Sequence, residues 1–148
     1  MLKYNERSPK EMSVITKAKD LMEHSLTMTA NTNRFPKKYR YTIGARIENL
    51  SIEIYENLVR ANECNLGDER ERQRRYDCQQ EVIVSCKLLN TMIELSHKIQ
   101  SIELNTNSME YWCGLVVEVK RMTAAWRNNE KRQNTQGDKQ NTQNDNKK

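Results

Sequence analysis

The chain has 148 residues, 25 Lys and Arg against 20 Asp and Glu (a net charge of +5), and only 36% hydrophobic residues. That length suits one compact domain and not two of ordinary size. Four glycines and two prolines exclude a collagen-like chain, a Gly-rich phosphate-loop scaffold and a turn-rich β-sandwich, and no apolar run reaches the roughly 18 residues of a membrane span.

The opening Met1 to Met12 lacks the apolar core of a signal peptide, which predicts a cytoplasmic protein. Ser8 and Pro9 then read as an N-cap and a first helical residue. Val14, Ala18, Leu21, Ser25 and Met28 recur at three- and four-residue spacing, with Ile15, Met22 and Leu26 beside them, so a first amphipathic helix is predicted over 8–30. Turn chemistry at Asn31-Thr32-Asn33 ends it. A second helix is predicted from Pro36 or Thr42 to about Cys64, on a stripe of Ile43, Ile47, Leu50, Ile54, Leu58 and Ala61 widened by Ile52, Tyr55 and Val59.

After a break at Asn65-Leu66-Gly67, Asp68 caps a third helix, with Glu69 and Glu71 where the helix dipole favours carboxylates. Its expected stripe is Tyr76, Val82, Ile83, Cys86, Leu89 and Ile93, helped by Leu88, Met92 and Leu95, and it fades between Lys98 and Leu104. Ser108, or Asn107, is the expected cap of a fourth helix carrying Trp112, Leu115, Val119, Met122 and Trp126 with Val116 alongside. From Asn128 onward no residue is apolar and ten of 21 are Asn or Gln, so residues 128–148 are predicted to be a disordered polar tail. No segment alternates with period two for long enough to be a strand. The reading is all-α: an up-down-up-down four-helix bundle over residues 1–127, with helices about 30 to 40 Å long. Apolar side chains on two adjacent faces of helix 2, and around most of Val82–Ile93, exceed what one bundle core covers and predict self-association.

The residue types that carry chemistry are sparse. Cys64, Cys78, Cys86 and Cys113 include no C-x-x-C pair, so buried reduced thiols are expected rather than a metal site or disulfides. His24, among polar neighbours on the first helix, and His97, near the end of the third, have no nucleophile at catalytic spacing. Glu48, Glu53, Glu56 and Glu63 lack the Glu-x-x-His pairs of di-metal bundles. The expectation is therefore a protein that is not an enzyme and needs no cofactor.

The informative stretch is Arg34 to Ile47. It holds Arg34, Lys37, Lys38, Arg40 and Arg46, no acidic residue, and the aromatics Phe35, Tyr39 and Tyr41. A basic loop leading into a helix start gathers cations, backbone N–H donors and a positive dipole end, the requirements of a phosphate site. Two readings stand side by side: Tyr39 and Tyr41 stack on unpaired bases, or Phe35 and one tyrosine plug the bundle end while the cations are merely solvated. Arg70, Arg72, Arg74 and Arg75 are interleaved with Asp68, Glu69 and Glu71 and so partly neutralised; Lys120, Arg121 and Arg127 form a smaller patch.

The run from Phe35 through Arg46 fits the pattern F-P-K-x-x-R-[FY]-[ST]-[IL]-x-x-R and is followed by an Ile/Leu helix ending in Val59-Arg60-Ala61-Asn62. It resembles the signature of the four-helix-bundle family that contains the accessory variability determinants (Avd) of diversity-generating retroelements and the proteins of ribosomal RNA intervening sequences. Ile93 to Lys98, Tyr111-Trp112 and Ala125-Trp126-Arg127 resemble the Avd branch, and the likeness covers roughly residues 10–128. It implies a homopentameric barrel with a positive surface, without catalytic activity. It further implies binding of nucleic acid (template RNA) and of a reverse transcriptase during mutagenic copying. Carried over, Lys37, Lys38, Arg40 and Arg46 become candidate contacts to RNA or polymerase. The competing expectation is a protein-interaction scaffold of a mobile element that binds no nucleic acid.

Overall fold

The computed structural model describes the backbone of residues 9–145 and the side chains of residues 13–133; the capping role expected of Ser8 lies outside them. Helix α1 spans Pro9–Ala30, α2 Ala45–Glu63, α3 Glu69–Lys98 and α4 Thr106–Asp145. A 3-10 turn, Lys37–Tyr39, and a π turn, Arg40–Gly44, lead into α2. Among the described residues there is no strand, and no helix is long and apolar enough to cross a membrane. The architecture is all-helical and bundle-like. Each helix packs on its neighbours in sequence, α4 closes on α1, and all four contribute to one continuous core.

The apolar stripes of α1 and α2 fall where their period places them. Val14, Ala18, Leu21, Ser25 and Met28 are buried on α1, and Ile47, Leu50, Ile54, Leu58 and Ala61 on α2. The polar member of the first stripe has a partner: the fully buried indole of Trp112 donates its Nε1–H to Ser25 Oγ at 2.9 Å. Without that bond a buried N–H and a buried hydroxyl would both be stranded.

On α3 the buried seam differs from the apolar stripe. Asp68 caps the helix as expected, accepting from the Arg70 N–H at 2.9 Å. The seam then runs Arg75, Gln79, Val82, Cys86, Leu89, Ile93 and Ser96, in steps of four and three. Tyr76, expected in the core, is 38% exposed, and Leu88 and Leu95 are also exposed. Arg75 displaces the tyrosine because its needs are met inside. Its Nε donates to the Ala61 carbonyl at 2.8 Å, its guanidinium lies 5.1 Å from the centroid of the Trp126 ring, and it pairs with Glu130.

On α4 the buried seam is Trp112, Val116, Val119, Thr123 and Trp126, with Leu115 and Met122 only half-buried. The cap is Asn105, not Ser108 or Asn107. Asn105 Oδ1 accepts the Ser108 N–H at 2.8 Å and its carbonyl the Met109 N–H at 2.9 Å. At the other end, Glu130 accepts from Trp126 Nε1 at 2.8 Å as well as from Arg75, so the packed fold extends past the expected boundary at Asn128. Helical backbone continues to Asp145, inside the segment whose composition predicts disorder. Propagation adds one hydrogen bond per residue and needs no new nucleus, so a helix anchored at Trp126 and Glu130 can run on without apolar residues.

Trp112 sets the first prediction. Trp112→Phe keeps most of the volume but strands Ser25 Oγ, and should lower unfolding stability by about 1–3 kcal/mol. Trp112→Ala adds a cavity and should lower it by about 3–5 kcal/mol. Urea unfolding followed by circular dichroism reads both, and a Trp112→Phe variant as stable as the unaltered protein would remove the hydrogen bond from the account.

Candidate nucleic-acid interface

The basic segment is built on an irregular backbone pinned at regular intervals. After α1 the chain turns sharply, with the Arg34 and Phe35 N–H groups both donating to the Asn31 carbonyl at 3.0 and 2.8 Å. Phe35 then enters the core edge-on to Trp112, with ring centroids 6.2 Å apart at 77°. Pro36 is extended and supplies the carbonyl that the Tyr39 N–H meets at 3.0 Å. Phe35, Tyr39, Ile43 and Ile47 follow one another at four-residue intervals and all pack on or into the core. The side chains between them point outward: Lys37, Lys38, Arg40, Tyr41 and Arg46 are exposed, Tyr41 to 86%.

A second connection holds the segment from outside. Tyr39 Oη lies 2.9 Å from Ser101 Oγ, and the Glu103 N–H donates to the Arg34 carbonyl at 2.9 Å. The bond to Ser101, aided by the charge of Lys38, draws the Tyr39 hydroxyl below the ordinary phenol pKa. Lys38 Nζ sits 5.2 Å from the centroid of the same ring, a cation–π contact. Gly44 closes the π turn, where a Cβ would stand 3.2 Å from the Tyr39 carbonyl oxygen. Close backbone approach, not φ, is what asks for glycine there.

These contacts separate the two tyrosines. Tyr39 is half-buried and committed to Ser101, joining Phe35 as part of the plug, whereas Tyr41 presents its ring to solvent. Arg34 is half-buried; the other four cations stand in water. Among the described residues none of the five has an ion-pair partner. Glu48 lines an 80 Å³ cleft together with Lys37 and Arg40. Its Oε1 accepts from Thr29 Oγ1 at 2.8 Å, and it pairs with neither cation.

Of the other basic groups, some are engaged locally, whereas Arg70 and Arg74 are exposed and, among the described residues, have no ion-pair partner. Arg121 pairs with Glu118 at 2.6 Å, and Arg127 stacks on Tyr76 at 5.6 Å and donates to Gln80. In the Arg-rich start of α3, Arg75 is buried and Arg72 Nη1 reaches the Leu66 carbonyl at 3.5 Å.

All four cysteines are free thiols. Burial raises the pKa of each, that of Cys86 to about 12, which makes them protonated and poorly nucleophilic at neutral pH. Among the described residues no group of three His, Cys, Asp or Glu is arranged to hold a metal ion. His97 Nδ1 lies 2.7 Å from the Leu104 carbonyl oxygen and braces the α3–α4 connection.

Comparison with family models, curated proteins and solved structures finds no match. The residues themselves therefore carry the functional argument. Outside the basic segment, sequence periodicity misses Ser101 and Glu103, which hold it, and His24, which it places among polar neighbours. His24 lies instead between two aromatic rings, 5.2 Å from Tyr111 and 5.7 Å from Trp112. Burial, then the charge of Arg34, lowers its pKa, and its Nε2 is buried without a hydrogen-bond partner.

A pH dependence follows from His24. Above about pH 6.5, the ordinary histidine value, both folded and unfolded chains hold it neutral and stability has its full value. Below it the unfolded chain takes up a proton that the folded chain resists, so stability falls until the lowered folded pKa is passed. His24→Gln should flatten this part of a plot of urea midpoint against pH between 7.5 and 5. An unchanged slope would show that another group is responsible.

Proposed function

We propose that the protein is a non-enzymatic accessory factor of a diversity-generating retroelement type of system, holding template RNA, a reverse transcriptase, or both. The observation that carries this reading is the row of Lys37, Lys38, Arg40 and Arg46, exposed and without carboxylate partners among the described residues, on a backbone pinned by Phe35, Tyr39 and Ile43. Cations held on a fixed backbone and left unneutralised by their own fold are suited to phosphates, which release counterions on binding. Tyr41 adds an exposed ring for a base. The likeness of Phe35 to Arg46 to the Avd signature supports the biological setting, with the protein acting as a homopentamer. The short connections and the packing of sequence neighbours support an up-down-up-down bundle in each protomer.

Lys37→Glu, Lys38→Glu and Arg40→Glu together should abolish retention of single-stranded RNA without loss of helicity. For the unaltered protein, log K should fall linearly with log salt at a slope of about −2 to −3.5 if three to five phosphates are neutralised. A flat salt response, or RNA retention by the triple variant, would reject the interface.

One observation favours a second reading, a protein-interaction scaffold. Val84, Leu88 and Leu95 lie on one stripe of α3 and are 40%, 44% and 43% exposed, and Val117 of α4 is 49% exposed. Such a stripe is suited to a protein surface; in the preferred reading it is the contact between protomers. Native mass measurement should find an oligomer at micromolar concentration that Leu88→Glu with Leu95→Glu reduces to monomer. A monomeric unaltered protein would leave the stripe to a different partner.

A further inference from the structure

Arg34 has a neighbourhood that the other cations of the segment lack. Its side chain lines a cavity of about 460 Å³ between the end of α1 and the start of α4, bounded also by His24, Met28, Asn31, Asn107 and Tyr111. The volume is within the range of about 300–1,000 Å³ of small-molecule clefts. No carboxylate lines this cavity, and His24 contributes a neutral ring at pH 7, so its net charge is the single positive charge of Arg34.

The walls divide by chemistry. Tyr111 is 61% exposed although it belongs to a helix whose next residue, Trp112, is fully buried. Its ring meets His24 at 74°. A contact of that kind covers at most one face of a phenol ring, so the other is open to a planar guest. Met28 supplies an apolar floor, and the amides of Asn31 and Asn107 offer donors and acceptors at the rim. A planar guest with an apolar face, a polar edge and an attached anion satisfies all four features. A peptide acid would leave the ring and amides unused, and a metal ion would meet no anionic ligand.

We infer that this cavity receives one unstacked base of a bound RNA strand, the base lying on Tyr111 and an adjoining phosphate meeting Arg34. The inference rests on the nucleic-acid reading above and extends it, since Arg34 belongs to both places. Its backbone is the first turn of the basic segment, locked by Asn31 and Glu103, and its side chain reaches the cavity. A strand whose phosphates track Lys37 and Lys38 thus arrives at the cavity mouth. The patch would supply charge-dependent affinity and the cavity a dependence on the base itself.

Two single-stranded RNA oligomers of equal length and charge test this with the full chain, one bearing all its bases and one abasic at its central positions. Tyr111→Ala should weaken the base-bearing strand about 5- to 150-fold, the range for loss of one base–aromatic stack, and leave the abasic strand unchanged, while Tyr111→Trp retains binding. Tyr111 is exposed, so its truncation leaves the core packing in place, and circular dichroism checks the fold. The Lys37, Lys38 and Arg40 triple Glu variant should weaken both strands alike. If Tyr111→Ala leaves the base-bearing strand untouched, or weakens both strands equally, the cavity is not a base site although the basic patch stands. If the unaltered protein binds neither strand, the nucleic-acid reading itself fails. Saturable binding of AMP alone, without strand binding, would make the cavity a site for a free nucleotide and overturn the strand proposal.

Discussion

The bond from the Trp112 indole to Ser25 organises the end of the molecule that carries the basic segment and the cavity beside Arg34. An indole buried without a partner for its N–H would work against the core it fills. With Ser25 Oγ 2.9 Å away, the ring is fixed between α1 and α4, and three other groups take position from it. Phe35 packs edge-on and so pins the start of the basic segment. His24 lies perpendicular to it and closes one wall of the cavity. Tyr111, just before it on α4, is turned outward because Trp112 is turned inward. A single satisfied polar contact thereby couples core packing to the display of both the cations and the exposed ring.

The opposite ends of α2 and α4 solve a different problem. There the seam of α3 carries Arg75 and Gln79 where aliphatic residues would ordinarily sit, and both reach Glu130. A buried ionic cluster adds little net stability compared with an aliphatic core, but its geometry is exacting: the Arg75 Nε–H has one carbonyl to meet, that of Ala61. Such a cluster suits fixing the axial register of α3 against α2 and α4. Register matters at the other end, where Ser101 and Glu103 must arrive level with Tyr39 and Arg34 for the basic segment to be clamped.

The sequence made the helices legible where burial depends on apolar character alone. Every residue of the Ile43 to Ala61 stripe is buried, as is every residue of the Val14 to Met28 stripe, because solvent exclusion and helical period suffice to place them. The α3 seam was not legible. Arg75 is buried by partners 14 and 55 residues away in the chain, and a count of apolar residues selects Tyr76 instead. The α4 cap was ambiguous for a related reason, since Asn105, Asn107 and Ser108 all have capping side chains and only the path of the connection selects Asn105. In the basic segment, composition identified the cations, but which tyrosine is free depends on Ser101, 62 residues downstream of Tyr39. The cavity beside Arg34 left no local trace at all, being assembled from the end of one helix and the start of another.

The irregular backbone between α1 and α2 has a physical purpose in this arrangement. A regular α-helix through Lys37 to Arg46 would distribute these cations around its circumference and bury some of them against the core. The 3-10 and π turns instead bring Phe35, Tyr39, Ile43 and Ile47 inward at intervals of four, leaving Lys37, Lys38, Arg40 and Arg46 in water. Gly44 permits this because the chain passes so close to the Tyr39 carbonyl that a side chain would press on it. Long flexible cations on a rigid backbone lose little further backbone entropy when an anion arrives, which favours association. Each such contact is weak and sensitive to salt, and several copies on one assembly would raise the effective concentration of neighbouring sites along a strand.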